Sequence, residues 1–245
     1  LSILTLVATA GVFYSFLPSS QTHPIVYLIS TPRSLTTAFT RMMHARGDFS
    51  VYNEPAHYAY CLKHYPEFAK QSYIQEAPAT YPAVKDVLLK EAKSKPVFVK
   101  EMSIASEEFL ACNPEFVNLE QVKFFFLMRN PHHSAISFYR KCPDPVDELH
   151  DVLGYEQLYN IMLWIQEQTG KAPYVVVAED LCNHPEETVA EFCKRMDIPF
   201  IPNSTQWQAL DEHFNPAIEW HEYKYEGPTL LWHSDAINSD GFGKP

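Results

Sequence analysis

The residues best suited to chemistry open a run from Ile25 to Gly47. The apolar stretch Ile25-Val26-Tyr27-Leu28-Ile29 leads into Ser30-Thr31-Pro32-Arg33-Ser34. Leu35, Phe39, Met42 and Met43 then recur at helical spacing, and Gly47 stands where a helix ends. The pattern predicts strand, tight loop, helix. First-turn N–H groups of such a helix point unpaired into the loop, and their partial positive charge favours an anion. Arg33 adds a full positive charge; Ser34, Thr36 and Thr37 add hydroxyl donors beside Leu35. An anion cradle for a phosphate group is one reading, and a capping motif that merely starts the helix is the other. A Walker A loop is excluded, because G-x-x-x-x-G-K-S/T cannot be written where no glycine lies between Gly11 and Gly47.

Three more strand ends carry charge. Phe49, Val51 and Asn53 alternate along a short strand that stops at Glu54, and Pro55 holds Glu54 extended. Glu54 then sits at the edge where open α/β sheets bind ligands, as a general base or as the cap of the next helix. Lys95 to Met102 reads as another strand, with Pro96 tolerated at its start and Lys100-Glu101 at its end, a pair that is either functional or solvated. Lys123 to Met128 is an almost unbroken apolar run, as in a central parallel strand covered on both faces, and Arg129-Asn130-Pro131 ends it.

On these residues the chain resembles the PAPS-dependent sulfotransferases, which use 3′-phosphoadenosine-5′-phosphosulfate as donor. T-P-R-S-x-T-T after a strand is similar to their 5′-phosphosulfate loop, T-x-P-K/R-S-x-S/T-T. FFFLMRNPHHSAISFY resembles their 3′-phosphate element, R-x-P-x-x-x-x-x-S-x-Y, with Arg129, Ser137 and Tyr139 in the matching places. The resemblance implies that Arg33, Ser34, Leu35, Thr36 and Thr37 bind one end of PAPS and Arg129, Ser137 and Tyr139 the other. It implies Glu54 as base with Glu101 in reserve, and Arg33 and Lys100 as stabilisers of the leaving 5′-phosphate. The family also shows where this chain departs. Lys100-Glu101-Met102 replaces the cytosolic K-T-H, Ala178 replaces the Tyr of Y-E-D-L, and the C-terminal R-K-G-x-x-G-D-W-K closure is missing.

The elements that must position these residues are legible in outline. Ala56 to Ala92 is aromatic and helical, broken at Pro66, Pro78 and Pro82, and reads as a lid, an acceptor wall or helices packed in the core. Cys142 to Asp151 is a connection, Tyr155 to Thr169 an amphipathic helix stopped by Gly170, and Tyr174 to Val177 a buried strand. Glu179 and Asp180 orient loops, and a helix runs from His184 to Asp197. Pro216 to Pro245 reads as loop, a surface tail or a substitute clamp formed by Ser234, Gly241, Phe242, Gly243 and Lys244.

Composition narrows the class. The chain has 245 residues, 46% of them apolar, enough for one α/β domain at 21–245 with a sizeable core. A net charge of −11 argues against nucleic acid as partner and confines any anion site to local positive charge. The five cysteines show no metal-ligand spacing and read as free, mostly buried thiols, consistent with a cytoplasmic, reducing compartment. No metal site is expected, and adjacent His132 and His133 diverge on a helix. Residues 1–20 hold no charged side chain and read as an apolar lead-in helix or as a remnant of a signal or membrane anchor.

The expected fold is a three-layer α/β sandwich with a mainly parallel sheet of the P-loop nucleotide-binding type. The expected reaction moves a sulfuryl group from PAPS to a hydroxyl or amine of a small, neutral acceptor, leaving PAP. The alternatives are a catalytically inactive nucleotide-binding protein of the same fold and a small-molecule kinase.

Overall fold

The computed structural model describes residues 22–74, 76–142, 149–208, 215, 219–223 and 228–243. Five strands alternate with helices: β1 (Ile25–Ser30), β2 (Ser50–Asn53), β3 (Val97–Met102), β4 (Val122–Met128) and β5 (Val175–Val177). They form one all-parallel sheet in the order β2-β3-β1-β4-β5. The expected α/β sandwich is therefore observed, with the sheet parallel throughout.

All six residues of β1 are buried, and they alternate between the two faces. Tyr27 and Ile29 join Val97, Val99 and Phe126 on one face. There α4 (Tyr81–Glu91), α5 (Ser103–Cys112) and α8 (Tyr155–Thr169) cover the sheet with Val84, Leu88, Phe109, Leu158 and Ile161. Val26 and Leu28 join Phe98, Phe125 and Val176 on the other face, beneath α1 (Thr36–Arg46), α9 (Ala178–Asn183) and α10 (Pro185–Met196). A parallel sheet covered on both faces needs such unbroken apolar strands.

Pro66 and Pro82 start helices, α3 (Pro66–Ser72) and α4, because a first-turn proline loses no intrahelical bond. They follow α2 (His57–His64). Gly47 and Gly170 end α1 and α8 in left-handed conformation, as their positions predict. Four stretches differ from the sequence reading or add to it. Leu35 lies just before α1 at φ 65, outside the helix. Residues Ser103–Cys112 form α5, whose buried Ala105, Ser106, Phe109 and Leu110 give it one buried face. The tail read as loop contains α11 (Pro228–Ile237), and the connection after Cys142 includes α7 (Leu149–Leu153). Helix α6 (Pro131–Lys141) follows β4 directly.

Of the five cysteines only Cys61 and Cys193 are buried, so the expectation of mostly buried thiols fails; all five are free. No helix among the described residues is long and apolar enough to cross a membrane. Residues 1–20 and Lys244 lie outside the described residues.

The strand order places β1 at a switch point. The chain leaves β1 toward β2 and leaves β4 toward β5, so a crevice opens between the two departing loops at the carboxyl edge. Register brings Asn53 level with Lys100 and Ser30 level with Met102 and Leu127. Glu54, Lys100, Arg33 and Arg129 thus reach one edge of the sheet.

Candidate active site

The loop between β1 and α1 is tied down from below. Ser30 donates its hydroxyl to the Leu127 carbonyl, and the Thr31 and Ser34 hydroxyls meet at 2.7 Å, both fully buried. Arg33 and Leu35 adopt left-handed backbone, at φ 62 and 65. Without a glycine, each such residue costs on the order of 1–3 kcal/mol. No side chain caps α1, so its first-turn N–H groups keep their positive ends toward the loop.

Arg129, just beyond β4, donates from a terminal nitrogen to the Arg33 carbonyl at 3.0 Å. Tyr155 fixes the Arg129 turn, its hydroxyl 2.8 Å from the Arg129 carbonyl and 3.0 Å from Ser134 Oγ. The Arg129 Nε is buried with no hydrogen-bond partner among the described residues. An uncompensated guanidinium N–H is costly, and a phosphate oxygen would satisfy it. The Arg33 side chain lies beside it, donating from Nε to Ser137 Oγ at 3.1 Å and reaching Asp235 at 3.4 Å. Burial lowers the Arg33 proton affinity, Asp235 raises it, and Arg129 lowers it further. Lys141 meets the same Asp235 at 3.1 Å.

The ends of β2 and β3 carry a different cluster. Lys100 and Glu54 form a buried ion pair, with side chains 1% and 6% exposed. The other Glu54 oxygen is 3.0 Å from His57 Nδ1. Glu54 is left-handed, at φ 54, and not extended as its place before Pro55 predicts. Glu101 is wholly buried and accepts the backbone N–H groups of Ala56 at 2.7 Å and Met102 at 3.0 Å. Burial, and then the charge of Glu54, push its carboxyl up to about 7, while His57 and the two N–H donors pull the other way.

Both clusters face one cleft of about 520 Å³. Arg33, Arg129, Ser137, Thr36 and Thr37 line one part, Glu54, His57 and Lys100 another. Met102, Ile104, Phe138 and Val152 supply apolar wall. Helix α11 closes a third side with His233, Asp235 and Ala236. His233 lies 3.4 Å from Thr37 Oγ1 and is backed at 3.2 Å by Glu222, which accepts from Asn53 at 2.9 Å.

With this geometry in view, a family model described as a sulfotransferase domain matches residues 25–228. The chain belongs to that family. Two solved sulfotransferase domains share the fold. One, from the Synechococcus PCC 7002 olefin synthase, is 16% identical at a TM-score of 0.53, with 87% of this chain and 89% of that one covered. The other, from the curacin biosynthetic pathway, is 15% identical at a TM-score of 0.56, covering 91% and 88%. By sequence the chain is 28% identical over 227 residues to branched-chain-amino-acid aminotransferase-like protein 2 of Arabidopsis thaliana, covering 90% of this chain and 36% of that protein. Protein 1 of the same name is 27% identical, with 90% and 37% covered. The chain thus spans about a third of the length of these curated relatives.

Within the sulfotransferase domain, the structure gathers Arg33, Leu35, Thr36, Thr37, Glu54, Lys100, Arg129 and Ser137 at one cleft. Three expected residues stand apart from its lining. The Ser34 hydroxyl is spent on Thr31, Glu101 is sealed beneath its two backbone donors, and Tyr139 is an exposed residue of α6, 42% accessible. Arg33 joins Ser137, the side expected to hold the 3′-phosphate. Among the described residues of the segment 56–92, read as a lid, an acceptor wall or core helices, only His57 lines the cleft. Glu179 receives the Asn130 N–H and His133, both at 3.2 Å, which suits the loop-orienting role expected of it. His57 escaped the sequence reading although E-P-x-H places it three residues after Glu54. His233 and Asp235 escaped a role because nothing in the tail signalled α11.

Proposed function

We propose that this sulfotransferase domain uses PAPS, transferring its sulfuryl group to a hydroxyl or amine of a small, neutral, largely apolar acceptor. The observation that carries the reading is the convergence of Arg33 and Arg129 on one crevice, with a buried Arg129 N–H lacking a partner among the described residues. In a chain of net charge −11, two guanidinium groups beside an uncapped helix start make a local anion site.

Arg129 and Ser137 would hold one phosphate of the donor, with Arg33 against them. The N–H groups at the start of α1, with Thr36 and Thr37, would hold the other anionic end. The donor supplies an activated sulfuryl group, and the protein chiefly positions reactants and neutralises charge. Lys100 would face the leaving phosphate, and Glu54 belongs to the group that receives the acceptor's proton. The acceptor would lie along Met102, Ile104, Phe138 and Val152, whose side chains reward apolar contact and offer no counter-charge.

Calorimetry on the full chain tests this. PAP should bind in preference to ATP, and Arg129→Ala should weaken PAP by about 1.5–3 kcal/mol, the usual worth of a charge-assisted hydrogen bond. Preference for ATP, or PAP affinity unmoved by the substitution, would overturn the reading.

A further inference from the structure

The mechanism expected from sequence makes Glu54 the base, yet both its oxygens are engaged: one by Lys100, the other by His57 Nδ1 at 3.0 Å. Its side chain is only 6% exposed, against 21% for His57, which lines the same cleft. A carboxylate oxygen can only accept, so the contact fixes the proton of a neutral imidazole on Nδ1. The lone pair is then on Nε2, at the opposite edge of the ring. Glu54 in turn cannot shift, because Lys100 and a left-handed backbone at φ 54 hold it.

We infer that His57 is the group that takes the acceptor's proton, and that Glu54 is a positioning residue that orients its ring. This rests on the sulfuryl-transfer reading above and adds a residue to it. The hydroxyl proton passes to Nε2 as the acceptor oxygen bonds to sulfur. The bond from sulfur to the donor's 5′-phosphate oxygen breaks, and its electron pair stays on that oxygen. The imidazolium, held against Glu54, then returns its proton to water.

The surroundings suit a transient positive charge. Glu54 and Lys100 face His57 from the ends of β2 and β3, and the buried Glu101 carboxyl lies beneath. Tyr60 on its own helix and Tyr73 beyond α3 approach the ring, with centroids 6.1 and 6.2 Å away. Burial, foremost, holds both phenols neutral through the working range of an imidazole. A proton arriving on His57 therefore meets the Glu54 carboxylate, which is itself paired with Lys100. His57 reaches Glu54 across the turn that follows β2, three residues on in the chain.

The test compares acceptors that need a base with one that does not. Wild type, His57→Asn and Glu54→Gln are each supplied with PAPS and three probes: an aliphatic alcohol, 2-naphthol, and p-nitrophenol above neutral pH, where it is already ionised. PAP release without an added acceptor reports transfer to water. PAP affinity is measured in parallel, and the proton position on His57 is read by nitrogen NMR. If His57 is the base, His57→Asn loses about 10²–10⁴-fold on the un-ionised acceptors and on water, and less than about tenfold on p-nitrophenolate, with PAP affinity kept. The NMR signal places the proton on Nδ1 in wild type and shows a mixture in Glu54→Gln. Equal losses on all acceptors, or a proton on Nε2 in wild type, overturn the assignment. Where no probe is turned over, the NMR result alone decides it. Failure of wild type to bind PAP overturns the sulfuryl-transfer reading instead, so the two failures are distinct.

Discussion

The two ends of the cleft hold their charge differently. At the β1–β4 end, Arg129 donates to a carbonyl and Arg33 to the Ser137 hydroxyl, both neutral oxygens. The carboxylate nearby, Asp235, has a side chain 68% exposed and is shared with Lys141. At the β2–β3 end, Lys100 is 1% exposed, and its charge is already answered by Glu54. At the first end, the buried Arg129 Nε–H has no hydrogen-bond partner among the described residues and is left over for an incoming anion. The second is a closed set whose balance changes only when a proton moves. Binding needs unanswered charge near solvent, whereas a buried group that reacts needs its charge compensated beforehand, since an unpaired buried ion is expensive.

The sharpest way to break this contrast is Lys100→Met. It leaves Glu54 buried without its counter-charge and should destabilise the fold by about 3–5 kcal/mol in denaturant titrations. A loss under about 1 kcal/mol, the range of exposed pairs, would show that the second end is open like the first.

Next in size is the pH dependence set by Glu101. Its folded-state carboxyl is raised to about 7, so between the unfolded value and 7 the native state keeps a proton that the unfolded chain has lost. Stability from this group is fully present below the unfolded value and is lost as pH rises through about 7. The stability of wild type relative to Glu101→Gln should therefore fall by roughly 3 kcal/mol from pH ~4 to pH ~8. Parallel unfolding curves across that range would show that Glu101 ionises freely.

The smallest expected effect lies at the open end. Asp235→Asn removes an exposed carboxylate that competes with a bound anion for Arg33, and PAP affinity should rise by less than about fivefold, an effect that salt weakens. A loss of affinity would mean that α11 holds Arg33 in place instead of competing for it.

Some of this was legible in the chain because local pattern decides it. Five apolar runs and the loops after them give the strands. Proline and glycine at Pro66, Pro82, Gly47 and Gly170 give helix boundaries, since their backbone limits act wherever the chain goes. The T-P-R-S loop and the R-N-P turn were readable as anion binders because a strand-loop-helix unit carries its own field. The pairing of Arg33 with Ser137, 104 positions apart, was not. Nor was the placing of α11 over the cleft.

By itself, then, the sequence determined which elements form and which loops can hold an anion, since both follow from neighbours within a few residues. The tertiary structure alone decided how charge is shared. Register sets Lys100 against Glu54, a left-handed turn swings His57 onto the same carboxylate, and burial turns Glu101 from a candidate base into a sealed support. Each of these depends on groups brought together from separate strands, and on how far the folded chain excludes water from them.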